Sequence, residues 1–362
     1  MLRAAFLTDA PRVAGSEVWL LEVLPRLAHY GIQSSVFLPN AEALNEMAAR
    51  LTAAGVVVNR FTHPSTLPAQ TAGFDVRVVQ AWSPGTYTKL LPALAAPRVV
   101  IVHDQPDYHY PLGLRALYRE IYRYTKAHPQ RNAERIVTVS DWARDFLQRL
   151  GGGEVVGLRN GVDPQRFHPA TAEERLRLRS ELGFDRFTAL VPGRFAPEKN
   201  QLAAVLAARH ARKLDFVFVG DMDSGTGTLA RRLAQTLQLN NVRFLGRRWD
   251  MPELYRAADA LLQPTRSENQ SLVTLEAMAS ALPVVTTPIP AQAELIQDGR
   301  GGLLVPPRPA LLALALNALA RHPERTRVLG EAGRQHVLAH HTLEHTAAGV
   351  ARMLQDTADL FR

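Results

Sequence analysis

The chain has 362 residues, of which 46% are apolar and 21% charged, a globular composition long enough for two ordinary domains and with no sign of disorder. It contains no cysteine, which excludes disulfides, thiolate metal sites and a cysteine nucleophile. The net charge of +8 is split evenly between the two halves, so neither is a basic tail. That balance suits an anionic ligand or membrane surface, and no base-reading motif points to nucleic acid.

The N-terminal apolar run, Ala4 to Leu7, is too short for a signal peptide, and no window reaches the roughly 18 apolar residues of a membrane span. A cytoplasmic chain is expected. From there a strand–turn–helix rhythm sets in. Short apolar runs at Arg3–Thr8, Ser34–Leu38, Val56–Phe61, Val76–Trp82, Arg98–His103, Arg135–Ser140 and Val155–Arg159 alternate with helical spacing, as in Ser16–His29 and Leu112–Lys126. After the turn-rich Asn160–Ala170 the rhythm restarts at Phe187–Gly193. It continues through Asp215–Gly220, Val242–Gly246, Ala260–Pro264, Pro283–Thr287 and Leu303–Pro306. Two such series predict an α/β chain of two Rossmann-like, doubly wound domains facing across a cleft, residues 1–168 and 169–341. The final stretch, 342–362, reads as a polar helix that could pack on either domain, the first included.

Two stretches carry candidate chemistry. In Val191–Asn200, VPGRFAPEKN, a strand ends before Arg194, and Lys199 opens a helix. A cation pair beside a helix N-terminus can clamp a diphosphate; two solvated cations in a turn are an equal alternative. In Thr265–Val285, Glu268 lies in the turn before a helix and Glu276 more than one turn inside it. Ionised carboxylates accept hydrogen bonds, and sugar hydroxyls donate them, so the two suit the hydroxylated ends of one ligand. Glu276 could instead simply pair with a nearby arginine.

The order GRFAPEKN, FVFVGDMDSG, LYRAADALLQPTRSE and LEAMASALPVVTT, with the Glu-x7-Glu spacing, closely resembles retaining glycosyltransferases of family 4, which have the GT-B fold. AGSE (Ala14–Glu17) resembles that family's glycine loop, IVHD (Ile101–Asp104) its His-Asp segment and NGVD (Asn160–Asp163) its interdomain junction. The resemblance implies a nucleotide-sugar donor, a hydroxyl acceptor such as a glycan, glycolipid or small molecule, and no cofactor or metal. By the same resemblance Arg194 and Lys199 hold the diphosphate, Glu268 the transferred sugar and Glu276 the ribose. Backbone amides of Asn269, Gln270, Ser271 and Leu272 face phosphate or sugar, Gly15 allows close approach, and His103 lies near the reaction centre. The sequence departs from the family at Ala14-Gly15-Ser16, where Gly-Gly-Ala is common, and at Asn269-Gln270-Ser271, which bears on sugar identity.

A nucleotide-sugar epimerase on the same fold and a non-catalytic nucleotide-sugar-binding protein are the competing readings. Asp221-Met222-Asp223 has a metal-binding form and His341–His345 an H-x-x-E-H spacing, read as chance and as a polar helix face. Leu114–Arg131 places Arg115, Arg119 and Arg123 on one stripe and Leu114, Leu117, Tyr118 and Ile121 on another. It reads slightly better as an ordinary packed helix with its arginines in water than as a peripheral anchor on anionic lipid at the inner membrane face. Trp249 is assigned equally to stacking on a base and to covering a loop. The aromatics and His109 of Asp104–Tyr110, with the Ala81–Tyr87 loop, are equally acceptor contacts or loop packing.

Overall fold

The computed structural model describes residues 1–104, 112–151, 153–298 and 300–361; His109 and the neighbouring tyrosines lie outside them. The chain divides into two compact units, residues 1–160 with 343–362, and residues 161–342.

The first unit is built on a seven-stranded, wholly parallel sheet of order β3-β2-β1-β4-β5-β6-β7, with β1 Leu2–Thr8, β2 Ile32–Pro39, β3 Val57–Phe61, β4 Val76–Gln80, β5 Arg98–Val102, β6 Arg135–Thr138 and β7 Val155–Gly157. Both faces are covered, which is why its central strands are near-continuous apolar runs. On one face Ala4, Phe6, Val76, Val78, Val99 and Ile101 pack with Trp19, Leu20 and Val23 of helix Gly15–Val23. On the other, Ala5, Leu7, Val79, Val100 and Val102 pack with Tyr87, Leu91, Tyr122 and Leu147.

Helix Leu343–Asp359 belongs to this unit. Ala347, Val350, Ala351, Leu354 and Ala358 form a helical stripe buried against the first face of the sheet. Its apolar side is made mostly of small residues, so the segment reads as more polar than it is. The first unit ends at Asn160, short of the boundary at 168 read from the sequence, because Val162 and Phe167 are buried in the second core.

The second unit repeats the plan. Its order is β10-β9-β8-β11-β12-β14-β13, all parallel, with β8 Thr188–Pro192, β9 Asp215–Val219, β10 Val242–Phe244, β11 Ala260–Gln263, β12 Val284–Thr286, β13 Gln297–Asp298 and β14 Gly301–Leu304. The two-residue edge strand β13 has no signal in the sequence. Helix Gln201–His210 covers one face with Ala203, Ala204, Ala207 and Ala208, and helix Leu272–Ala279 covers the other with Leu275, Ala277 and Met278. Helix Ala172–Leu182 starts and stops as its sequence dictates: Thr171 Oγ1 accepts from the Glu174 amide at 3.2 Å, and Gly183 closes it at φ +64°.

In each sheet the strand order reverses once, between β1 and β4 and between β8 and β11. The carboxyl ends beside such a reversal are where open α/β sheets bind ligands. Among the described residues no helix is long and apolar enough to cross a membrane.

Candidate functional site

In the second unit the reversal lies between Pro192, which ends β8, and Gln263, which ends β11. After Pro192 the chain turns through Gly193 at φ +127°, opposite Gly220 at φ +145°. A Cβ on Gly220 would lie 2.2 Å from the Gly193 carbonyl oxygen, so only glycine lets these two turns meet. Gln201 Nε2 donates to the Arg194 carbonyl at 2.6 Å and fixes the turn from the start of the next helix. Arg194 pairs at 2.5 Å with the buried Glu198 carboxylate, while more than half of its own side chain stays exposed. The guanidinium is thus held through Nη2 while most of the side chain stays open to solvent.

The loop that carries this arginine is bolted to the loop after β11. The Arg266 amide donates to the Glu198 carbonyl at 2.7 Å, Thr265 Oγ1 to the same oxygen at 3.1 Å, and Asn200 Nδ2 to the Pro264 carbonyl at 3.0 Å. Asn200 reaches that carbonyl from a left-handed conformation, φ 55°, which asparagine tolerates better than most residues. The consequence is a direct ion pair between Lys199 and Glu268.

Glu268 is almost wholly buried. Besides Lys199 it accepts from Gln263 Nε2 at 3.0 Å and Thr265 Oγ1 at 3.2 Å. Gln263 is the hub beneath it. Its amide also donates to Ser271 Oγ at 2.9 Å, and its carbonyl oxygen accepts from Thr274 Oγ1 at 2.5 Å and Gln292 Nε2 at 3.1 Å. Asn269, Gln270 and Ser271 are buried, Leu272 is half-buried, and Ser271 Oγ caps the helix by accepting from the Thr274 amide at 3.3 Å. On the next turn Glu276 accepts from the Tyr255 hydroxyl at 2.8 Å. Burial, and then the charge of Glu276, push the Tyr255 phenol well above its ordinary range, so it remains a donor.

The fold therefore brings Arg194, Lys199, Glu268 and the start of helix Leu272–Ala279 together at the carboxyl ends of β8 and β11. Sequence reasoning missed Glu198, Asn200, Gln263, Thr265 and Tyr255. Glu198 and Asn200 flank Lys199 in the motif itself; Gln263 looked like an ordinary strand end.

In the first unit the corresponding end of the sheet carries Gly15 and His103. Gly15 opens its helix with nothing within 4 Å of where a Cβ would lie. The loop before it is shaped by Glu17, whose buried carboxylate accepts from Thr8 Oγ1 at 3.1 Å, Ser16 Oγ at 2.9 Å and the Ala14 amide at 3.2 Å. Burial raises the Glu17 carboxyl, with these bonds opposing. Ser16 Oγ in turn accepts from the Trp82 indole at 3.2 Å. Asp9 takes the Trp82 and Ser83 amides at 2.6 and 3.0 Å and ties down the Ala81–Tyr87 loop. The His103 ring meets that of Trp19 edge-on at 5.3 Å, and burial lowers its pKa to about 3. Next to it Asp104 pairs with Lys126; burial raises its carboxyl and Lys126 opposes the rise.

The remaining motifs resolve differently. Asp221 accepts the Asp223 amide at 2.9 Å and lies 3.4 Å from Arg247. His341, before the helix, is buried, its carbonyl accepting from the Val162 amide at 2.9 Å, whereas Glu344 and His345 are exposed on the first turn of helix Leu343–Asp359. Trp249 is largely exposed. In helix Leu112–Tyr122 the expected orientation is reversed. Leu114, Leu117 and Ile121 face outward, whereas the Arg119 guanidinium lies 5.5 Å from the Phe146 ring centre. Arg123, just beyond the helix, donates to the Leu150 carbonyl at 3.1 Å.

Comparison with known proteins places these motifs. The profile of glycosyl transferases group 1 matches residues 186–322, and that of glycosyltransferase family 4 matches residues 13–166. A GDP-mannose-dependent alpha-mannosyltransferase of Mycobacterium tuberculosis is 30% identical over 329 residues, 84% of each chain. A GDP-mannose-dependent monoacylated alpha-(1-6)-phosphatidylinositol monomannoside mannosyltransferase of Corynebacterium glutamicum is 32% identical over 215 residues, 55% of each chain. The chain thus spans little more than half the length of several curated relatives it matches. The crystal structure of Anabaena Alr3699/HepE in complex with UDP and glucose superposes with a TM-score of 0.85 at 19% identity, covering 98% of this chain and 100% of that one. At that identity the likeness is one of fold.

Proposed function

The chain belongs to glycosyltransferase family 4, and from that premise we propose that it moves a sugar from a nucleoside-diphosphate donor to a hydroxyl acceptor with retention of α configuration. The observation that carries this reading is the meeting of Arg194, Lys199 and Glu268 on one braced pair of loops. As the C1–O bond to the diphosphate breaks, negative charge grows on the leaving oxygen, and Arg194 and Lys199 are the cations placed to stabilise it. The acceptor oxygen forms the new bond to C1, and its proton passes to the departing phosphate. Glu268 accepts from the transferred sugar's hydroxyls, Glu276 from the ribose, and no metal is required. These charges favour transfer over the epimerase reading: Asp104, the acid next to His103, is paired with Lys126.

Thermal melting with EDTA present tests the proposal. The mannosyltransferase relatives and the neighbour bound to UDP and glucose make GDP-mannose and UDP-glucose the first donors to try. At about 100 times the dissociation constant, binding adds roughly 2.7 kcal/mol, a shift of several degrees. A shift abolished in Arg194→Ala, followed by sugar appearing on an added hydroxyl acceptor, supports transfer; isomerised donor supports the epimerase. Binding without turnover supports the non-catalytic reading.

We also propose that the chain works against an anionic membrane and that its acceptor is lipid-linked. The support is the outward row of Leu114, Leu117, Ile121 and Tyr124, each at least half exposed, on a chain of net charge +8. Co-sedimentation with vesicles containing phosphatidylglycerol should fall sharply in Leu117→Glu. Equal pelleting of both proteins would remove this part of the reading.

A further inference from the structure

The two sheets share a feature that the motifs do not contain. Each places a glutamine at the last position of the fourth strand in its order, beside the reversal: Gln80 on β4 and Gln263 on β11. Gln263 is saturated with partners and props up Glu268. Gln80 is 2% exposed, yet neither its amide nitrogen nor its amide oxygen has a hydrogen-bond partner.

Its neighbours share that condition. Strand alternation places Gln80 on the face of Val76 and Val78, and His103 on the face of Val99 and Ile101. That is the face covered by Trp19. His103 Nε2 and Trp19 Nε1 are also buried and without partners. Their rings touch at 5.3 Å. The register pairs Val79 with Val100, so Gln80 lies opposite Ile101 and His103 is its diagonal neighbour one rung further on. With strands about 4.8 Å apart and a rise of about 3.3 Å per residue, such diagonal positions lie roughly 8 Å apart, within reach of two long side chains through a bridging water. Buried polar groups are normally satisfied, by protein or by ordered water. Here two donors, an acceptor and an imidazole nitrogen of either character share one face of the sheet.

We propose that Gln80 is a positioning residue that holds the His103 imidazole by hydrogen bonding at Nε2, with the Trp19 indole completing the set. Since none of these atoms has a protein partner, the bond runs through one ordered water. Gln80 would then do for His103 what Gln263 does for Glu268. Its bearing on catalysis rests on the function proposed above, in which His103 borders the reacting sugar; its structural content does not.

The test is imidazole nitrogen NMR on the full-length, 15N-labelled protein, comparing wild type with Gln80→Leu and, as a second apolar replacement of similar length, Gln80→Met. The expected result is a single, fixed His103 tautomer in wild type. In both variants the tautomers become mixed, and the Trp19 indole proton exchanges faster. In turnover, kcat should drop by about 10-fold, the size typical of losing an orienting partner, with donor KM nearly unchanged. An unchanged His103 signal in both variants overturns the proposal, and so does an altered signal with full turnover. If no donor supports transfer at all, the proposed function fails, while the tautomer measurement still decides whether Gln80 holds His103.

Discussion

Lys199 and Glu268, which the family resemblance assigns to opposite parts of a donor, form an ion pair with each other. Both side chains are mostly buried, the glutamate almost completely. Removing one member of such a pair leaves the other charge in a poorly solvated place, which costs more than removing both. Lys199→Ala should therefore destabilise the chain more than Lys199→Ala with Glu268→Gln. Urea denaturation of the two single variants and the double variant gives the coupling directly. Strict additivity would show that the two charges do not stabilise each other.

The same geometry bears on how Glu268 is tested. Alanine there removes the acceptor for Gln263 Nε2 and Thr265 Oγ1 as well as any sugar contact. Leaving such groups unmatched costs about 1–3 kcal/mol, so lost activity in Glu268→Ala mixes function with stability. Glu268→Gln keeps the shape and an acceptor oxygen. It should lose most of its turnover while its melting temperature falls less than that of the alanine variant.

Asn200 offers a cleaner separation of backbone from side chain. Its φ of 55° disfavours alanine, and its amide holds the Pro264 carbonyl at 3.0 Å. Asn200→Gly keeps the conformation and loses the bond, at about 1 kcal/mol. Asn200→Ala loses the bond and adds about 1–2 kcal/mol of left-handed strain. If the glycine variant is the less stable of the two, the left-handed turn is not what asparagine supplies here.

What the sequence made legible is what depends on neighbours in the chain. Apolar runs located the strands of both sheets, except for the two-residue β13, because each run buries itself on a parallel sheet whatever lies opposite. Thr171 and Gly183 marked the ends of their helix for the same local reason. The site was legible where charge sits inside a motif, as in Arg194, Lys199 and Glu268. It was not legible where a partner arrives from elsewhere: Gln263 meets Gln292 across 29 residues, and Tyr255 meets Glu276 across 21. Helix Leu112–Tyr122 shows the limit of periodicity, which separates two stripes without saying which one faces out.

His103 gives a prediction in pH. Its folded pKa of about 3 lies below the ordinary value of 6.5, so burial favours the neutral ring. Below 6.5 the unfolded chain binds a proton that the folded chain refuses. The resulting stability is fully present above pH 6.5 and is lost as pH falls toward 3, at about 1.4 kcal/mol per unit. The ring proton signals of His103 should not titrate between pH 8 and 5, and His103→Asn should lose less stability than wild type between pH 7 and 5. A titration midpoint near 6.5 would place the ring in water.

Gly15 and Gly220 separate a ligand requirement from a packing one. At Gly220 a Cβ would collide with the Gly193 carbonyl at 2.2 Å, and φ is +145°, so Gly220→Ala must displace the turn that carries Arg194. It should lower the melting temperature and weaken nucleotide binding together. At Gly15 a Cβ meets nothing within 4 Å. Gly15→Ala should therefore melt like wild type, so any fall in kcat/KM reports the closeness of a bound ligand to that backbone. Wild-type turnover in Gly15→Ala would mean that no ligand comes near the loop. A large drop in its melting temperature would instead mean that the loop packs more tightly than its open surroundings indicate.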